Sequence, residues 1–140
     1  MNTTIAALET KPYIFFYGRC DEALAFYADA LGGTYEIMRS TDAPGEHARV
    51  GTDNGVMHAS FTSPGVAFLC SDGMQRKTID PDEGNICLAV SASDAAYGER
   101  IFNALSAGGK IVQPLDDAFW GGRFGMFADR FGIEWMVTTP

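Results

Sequence analysis

Apolar and polar residues follow the same order twice along this chain. In the first copy, a run of apolar and aromatic residues predicts a buried strand over positions 11–17. Asp21 is then expected to cap a helix whose apolar stripe consists of Leu24, Tyr27 and Leu31. Gly32 and the glycine after it should end this helix, because glycine adopts the left-handed conformation at little cost.

The second copy begins with an apolar strand predicted at 85–90. Several polar residues at 91–94 are possible caps for the next helix, whose stripe is Tyr97, Ile101 and Leu105. Small residues and glycines at 106–109 end it. A repeated unit of this kind usually buries an apolar face against its other copy.

Shorter strands are predicted after each helix, at 34–40, 56–62 and 66–70 in the first half and at 110–112, 123–128 and 133–138 in the second. Each half is therefore β-α-β-β-β, and the fold class is α+β. We expect a single domain over residues 1–140, made of a module at 11–72, a connector at 73–83 and a module at 84–139. One helix covers one face of a four-stranded sheet, so the free face either meets the other half or lines a cavity. The polar stretch 41–56 is predicted to be a loop or lid.

Composition and charge exclude several classes of function. The net charge is −8 and no basic cluster is present, which argues against a nucleic-acid partner. No apolar run approaches the roughly 20 residues of a membrane-spanning helix, and the N-terminus lacks the features of a signal peptide. Three widely spaced cysteines do not indicate a disulfide framework, so we expect a cytoplasmic protein.

Several motifs in this order resemble those of the vicinal oxygen chelate superfamily (glyoxalase I, bleomycin-resistance proteins, extradiol dioxygenases), and within it the PhnB-like group. The motifs are PYIFF at 12–16, GRC at 18–20, EAL at 22–24 followed by Phe26 and Tyr27, MHA at 57–59, FWG at 119–121, FG at 124–125, DRFG at 129–132 and WM at 135–136. The resemblance implies the glyoxalase/bleomycin-resistance fold, in which two βαβββ modules form an incomplete mixed-sheet barrel, usually within a homodimer. Some relatives carry a methyltransferase label, but this chain has no glycine-rich strand-to-helix turn of the nucleotide-binding kind.

Superfamily enzymes hold a divalent ion on four strand positions, two in each half. The resemblance places these positions approximately at Pro12, at Leu69 or Cys70, at Asn85 and at Met136. Divalent ions of this kind need imidazole or carboxylate donors. Proline has no donor, methionine offers a soft thioether and asparagine a weak neutral oxygen, so we expect neither a metal ion nor another cofactor.

His58 is the candidate catalytic residue, because an imidazole titrates near neutral pH and suits proton transfer. The alternative is a histidine that is hydrogen-bonded within a partly buried sheet. Glu46, His47 and Asp53 are expected to be solvated loop residues, and Cys20 a packed small residue.

The candidate pocket combines aromatic residues with a few polar groups, as small-molecule sites usually do. Arg123 is a possible clamp for a carboxylate or phosphate, with a salt bridge to a surface acid as the alternative. The predicted lining is Tyr13, Phe15, His58, Phe68, Asn85, Trp120, Arg123 and Met136.

The leading hypothesis is a homodimer that binds a small, partly apolar molecule without a metal ion. One alternative is a metal-dependent lyase or dioxygenase with a displaced site around His58 and Glu46. Another is a metal-free isomerase or lyase in which His58 is the base. The sequence does not identify the ligand, and it does not decide whether the two modules pair within one chain or between chains.

Overall fold

The structure is a computed structural model that describes residues 6–42 and 54–140. Each half contains one helix and four strands, in the predicted order. The first half consists of β1 (Tyr13–Phe15), α1 (Cys20–Leu31), β2 (Thr34–Arg39), β3 (Val56–Ser63) and β4 (Val66–Ser71). The second consists of β5 (Leu88–Ser91), α2 (Ala95–Ser106), β6 (Lys110–Asp117), β7 (Arg123–Ala128) and β8 (Glu134–Thr139). Most of the predicted loop or lid at 41–56, with Glu46, His47 and Asp53, lies outside the described residues.

Each half forms its own four-stranded mixed sheet. The first sheet has the order β1-β4-β3-β2 and the second has the matching order β5-β8-β7-β6. β1 pairs in parallel with β4, and β5 pairs in parallel with β8; the other strand pairs are antiparallel. Pro64 and Gly65 form the tight connection between β3 and β4.

Two local details differ from the predictions, and a third decides between alternatives that the sequence left open. Asp21 is not the cap of α1, which begins at Cys20 and has no side-chain cap from a neighbouring residue. The strand predicted at 110–112 continues past Pro114 to Asp117, which is possible because β6 is an edge strand. Among the possible caps of α2, the structure selects Asp94, whose carboxylate accepts a hydrogen bond from the Tyr97 amide at 2.8 Å.

The cap of α1 comes instead from Asp72, at the end of β4. This carboxylate is buried, and it accepts hydrogen bonds from the amides of Cys20 and Val56, each at 2.8 Å. Asp72 therefore connects the helix to two strands of the first sheet. Asp21 pairs with Arg39 on the surface, where the guanidinium donates to both carboxylate oxygens at 2.7 and 3.0 Å.

The helix-bearing faces of the two sheets share one apolar core. The ring of Tyr27 on α1 contacts Phe61 and Phe68 of the first half, and Phe131 and Trp135 of the second. These side chains are nearly inaccessible to solvent, and dispersion and burial of apolar surface hold the halves together.

A buried polar network crosses the same boundary. Asp129, in the turn after β7, accepts hydrogen bonds from the Tyr27 hydroxyl, from Trp135 Nε1 at 2.9 Å, and from the amides of Phe131 and Ile133. Burial raises the pKa of Asp129, and the four donors act in the opposite direction. Burial, and then the nearby carboxylate, raise the pKa of Tyr27. Because polar groups that are buried must find partners, this network also fixes how the two halves are positioned.

Two cysteines of the core lie side by side. The Cys20 thiol donates to Cys70 Sγ at 3.5 Å, and neither side chain is exposed. This hydrogen bond, together with burial, raises the pKa of the Cys20 thiol well above its usual range. We refer to Cys20 and Cys70 as the core thiols; Cys87 is half-buried and lies apart from them.

Candidate functional site

The face of each sheet that does not carry the helix is open to solvent, and the two open faces are the candidate site. On the first sheet, strand pairing places Met38 opposite His58, and Tyr13 beside Leu69. Tyr13 and Phe15 on one edge strand and Met38 on the other are each exposed by more than two fifths, which is unusual for large apolar side chains of one sheet. We call this surface the first open face.

His58 is held by an aromatic neighbour on the first open face. The hydroxyl of Tyr13 lies 3.2 Å from Nδ1 of His58, and the two ring centroids are 5.7 Å apart. When the hydroxyl donates to Nδ1, the imidazole proton is on Nε2. Phe15 extends this aromatic surface, with its ring 5.1 Å from Tyr13 and 6.2 Å from Tyr17. The arrangement offers flat apolar contacts and two hydrogen-bonding groups side by side.

A cleft of about 210 Å³ lies at one end of this face. Tyr13 and Phe15 form one wall, and Met57 and Met74 contribute flexible apolar side chains. Asp72 lies at its base, but its two oxygens are hydrogen-bonded to backbone amides, so it is neither a free base nor a ready metal ligand.

The second open face is formed by β7, β8 and the loop between β6 and β7. Strand pairing places Met126 opposite Met136, and Phe124 projects from the same side as Met126. The ring of Trp120 lies 5.8 Å from that of Phe124. Next to it, Phe119 is 98% exposed and Trp120 is 62% exposed.

The structure separates the predicted pocket residues into groups. Tyr13, Phe15 and His58 come together on the first open face, while Trp120 and Met136 belong to the second.

Phe68 and Arg123, two of the predicted pocket residues, do not line the open faces. Phe68 is 1% exposed and packs against Phe61 and Tyr27 on the helix side of its sheet, because alternation along β4 turns it away from Leu69. Asn85 is exposed and precedes β5, which begins at Leu88, so its place in the lining stays a prediction. Arg123 donates to the Leu115 carbonyl at 2.8 Å and lies 3.7 Å from Glu99, so it forms the alternative salt bridge rather than a clamp.

The positions that the resemblance assigned to a metal ion do not fit one. The register of β4 turns Leu69 to the open face and Cys70 into the core, where it contacts Cys20. Met136 supplies a thioether, and Pro12 supplies no side-chain donor. Within residues 6–42 and 54–140, no group of three or more His, Cys, Asp or Glu side chains is placed to hold a metal ion.

Sequence reasoning missed the methionines around the site. Met38 lies opposite His58 because β2 pairs with β3, and Met57 and Met74 both line the cleft. No local pattern marks them, since their neighbours are distant in sequence. Phe124, an aromatic residue that the predicted lining does not include, alternates with Met126 along one strand, and this period-2 spacing places both on the same face.

Comparison with known proteins gives a consistent result. A family model described as 3-demethylubiquinone-9 3-methyltransferase matches residues 9–138. The protein YjdN from Escherichia coli strain K12 is 29% identical over 139 residues, which span 92% of this chain and 93% of YjdN.

Solved structures agree with this match. Protein PA1353 from Pseudomonas aeruginosa is 34% identical, with a TM-score of 0.79 over 95% of this chain and 98% of its own. A PhnB protein from Bacillus cereus is 25% identical, with a TM-score of 0.75 over 95% of this chain and 100% of its own. The fosfomycin resistance protein FosX from Listeria monocytogenes is 14% identical, with a TM-score of 0.59 over 98% of this chain and 95% of its own, and it supports the fold alone. The predicted fold, the glyoxalase/bleomycin-resistance fold with sheets that do not close into a barrel, is confirmed.

Neither of the two helices in the described part of the chain has the length and apolarity that crossing a bilayer requires.

Proposed function

Because this chain belongs to the 3-demethylubiquinone-9 3-methyltransferase family, the PhnB-like members of the glyoxalase/bleomycin-resistance/dioxygenase superfamily, we propose that it binds a small, partly apolar molecule on its open sheet faces, without a metal ion. The observation that carries the proposal is the exposed aromatic surface of Tyr13 and Phe15 beside His58. Aromatic walls with a few polar groups are typical of small-molecule sites.

Contacts on the first open face define the class of ligand. Aromatic rings and methionine side chains favour an apolar or planar body. When the Tyr13 hydroxyl donates to His58 Nδ1, the imidazole offers its Nε2–H as a donor and the tyrosine oxygen can accept a hydrogen bond from the ligand. The cleft of about 210 Å³ suits part of a small molecule rather than a large cofactor.

We further propose that a second copy of the chain completes the cavity in a homodimer. Within one chain, the first cleft is lined by the first half and the connector, and the cleft beside Phe119 and Trp120 is lined by the second half. Exposed apolar side chains on both open faces support burial against another copy. In this arrangement the loop between β6 and β7, which carries Phe119 and Trp120, faces the first open face of the partner protomer.

We do not propose methyl transfer. The fold consists of two mixed sheets rather than a doubly wound parallel sheet, and the only parallel strand pairs in the described residues are β1 with β4 and β5 with β8. The β1–α1 turn contains one glycine, Gly18, rather than a glycine-rich loop.

We also propose that residues 1–140 form one domain with modules at 11–72 and 84–139, and that the protein is cytoplasmic, which its unpaired cysteines support.

The Tyr13–His58 contact also favours a second candidate function, a metal-free isomerase or lyase in which His58 is the base. In the tautomer in which Nδ1–H of His58 donates to the Tyr13 hydroxyl oxygen, Nε2 carries no proton and can accept one from a substrate. The metal-dependent alternative around His58 and Glu46 involves a residue that lies outside the described part of the chain.

A neutral fluorescent probe, Nile red, tests the binding proposal. Phe15→Ala should weaken Nile red binding roughly tenfold, since a buried ring contributes about 1–3 kcal/mol. Tyr97→Ala is the matched control, because Tyr97 is comparably exposed but lies on α2. Equal weakening in both variants, or none in either, refutes a site on the first open face.

Further measurements test the absence of a metal ion and the proposed role of His58 as a base. Elemental analysis of protein purified without chelators or a metal-affinity tag should find no stoichiometric Zn, Ni, Mn or Fe, and finding one would overturn the metal-free proposal. Mass spectrometry of molecules that co-purify with the protein identifies ligands for assay. If one of these is turned over, full activity of His58→Gln would exclude His58 as the base.

A further inference from the structure

A second cleft, of about 220 Å³, lies between the connector and the turn that joins β7 to β8. Its apolar wall is formed by Phe16 and Phe131, which belong to the helix-side core. It shares no residue with the cleft on the first open face, so it is a separate site.

Positive charge is concentrated around this second cleft. Arg19, Lys77, Lys110 and Arg130 all line it, and they are four of the ten lysines and arginines in a chain of net charge −8. A cluster of cations in an acidic protein creates a local potential that favours anions.

The two arginines are largely engaged by the protein itself. Arg19 pairs with Glu22 and donates to the Arg130 carbonyl at 3.2 Å. Arg130 donates twice to the carbonyl of Ala107, and its guanidinium lies over the ring of Phe26. These contacts hold both arginines in place at the rim.

The two lysines have no such partner. The Lys77 ammonium lies 4.6 Å from the centroid of the Tyr17 ring, and neither Lys77 nor Lys110 forms an ion pair with a carboxylate of residues 6–42 or 54–140. The one acid in the lining, Asp129, is buried and already accepts four hydrogen bonds.

The connector acid nearest in sequence to the lining, Asp80, does not pair with these lysines. Its neighbours Ile79 and Pro81 line the cleft but Asp80 does not, and its carboxylate accepts a hydrogen bond from the Asp82 amide at 2.9 Å. Lys77 and Lys110 thus border one cleft, and no carboxylate of residues 6–42 or 54–140 lies within ion-pair distance of either ammonium group.

We propose that this second cleft binds an oxyanion, the phosphate or carboxylate group of a small molecule, with Lys77 and Lys110 as its charge partners. The Thr78 residue in the lining adds a hydroxyl, and the rings of Phe16 and Phe131 accommodate an apolar portion beside the anion. The volume matches a small anionic group more closely than a whole nucleotide.

The test uses the full-length protein and two probes, inorganic phosphate and succinate, titrated at constant ionic strength. Backbone amide chemical shifts measured by NMR should change around residues 77–80 and 108–110, and whichever probe binds more tightly identifies the oxyanion class. Replacing both lysines (K77A/K110A) should weaken binding at least tenfold, since hydrogen bonds to charged groups are strong.

Two variants separate a site from general charge effects. The control K11A/R100A removes the same charge outside the cleft and should bind like the parent chain. K77R/K110R keeps the charge and should retain binding. The proposal is overturned if the shift changes are spread over many surface cations, or if K11A/R100A weakens binding as much as K77A/K110A does. Nile red binding to the first open face should not change in any of these variants.

Discussion

Replacing Asp72 should destabilise this protein much more than replacing Asp21, although Asp21 is the residue that local sequence suggests as the helix cap. Asp72→Ala removes the acceptor for two buried amides, those of Cys20 and Val56, each 2.8 Å from the carboxylate. A buried donor left without a partner costs about 1–3 kcal/mol. Two such donors give an expected loss of about 2–6 kcal/mol in the free energy of unfolding.

Asp21→Ala has a smaller expected effect. Its carboxylate pairs with Arg39 at the surface, where solvent screens the interaction, and it lies in the first turn of α1. An exposed pair contributes about 0.2–1 kcal/mol, and the helix dipole a similar amount. We therefore expect a loss of about 1 kcal/mol.

Urea unfolding followed by circular dichroism measures both values, and thermal unfolding gives an independent check. A loss of about 3 kcal/mol in Asp72→Ala corresponds to a fall in Tm of roughly 10 °C for a chain of this size. Asp72→Asn, which keeps one acceptor oxygen, should lie between the parent and Asp72→Ala. The reasoning is refuted if Asp21→Ala is as destabilising as Asp72→Ala.

Three further predictions concern acid stability, thiol access and backbone packing. Two hydrogen bonds from Arg39 hold the pKa of Asp21 below its ordinary value of 3.8, so the stabilisation from this pair is present above about pH 4 and is lost as the pH falls through the lowered pKa. Asp21→Asn should therefore cost about 0.5 kcal/mol of unfolding free energy at pH 7 and less near pH 3, and an equal cost at the two pH values would contradict the role of the pair. Cys87 should react with the thiol reagent DTNB in the folded protein, while the core thiols react only after unfolding, and rapid reaction of all three would disprove their burial. Gly109→Ala should lower the free energy of unfolding measured in urea by about 1–3 kcal/mol, because the new Cβ would overlap the backbone carbonyl of Ala128 in β7. Gly84→Ala is the control, since there is room for a Cβ at that position, and equal stability of the two variants would contradict the packing.

The order of helices and strands was predictable because each element is marked by local periodicity. The stripe of Leu24, Tyr27 and Leu31 depends on side chains within one helix, and all three are buried in the structure. The end of the first helix was equally accessible, since Gly32 adopts the left-handed conformation there. Such features need no knowledge of distant contacts.

Other features depend on residues far apart in sequence, and local patterns do not reveal them. Asp72 caps a helix that begins 52 residues earlier. The run of apolar residues in β4 showed that both faces are apolar but not which face carries the helix, so Phe68 was assigned to the pocket and the choice between Leu69 and Cys70 stayed open. Arg123 was left with two alternatives because its partner, Glu99, lies on a different element.

The shared contacts of Tyr27 also bear on how the molecule denatures. If one half came apart alone, the Tyr27 ring would lose its aromatic neighbours from the other half and its hydroxyl would lose Asp129. A partly folded species would then expose the apolar faces of the shared core to water and lose the hydrogen bond between Tyr27 and Asp129, which makes it costly compared with either end state. Unfolding should therefore be one cooperative transition with no populated half-folded intermediate, and neither half should fold when it is expressed alone.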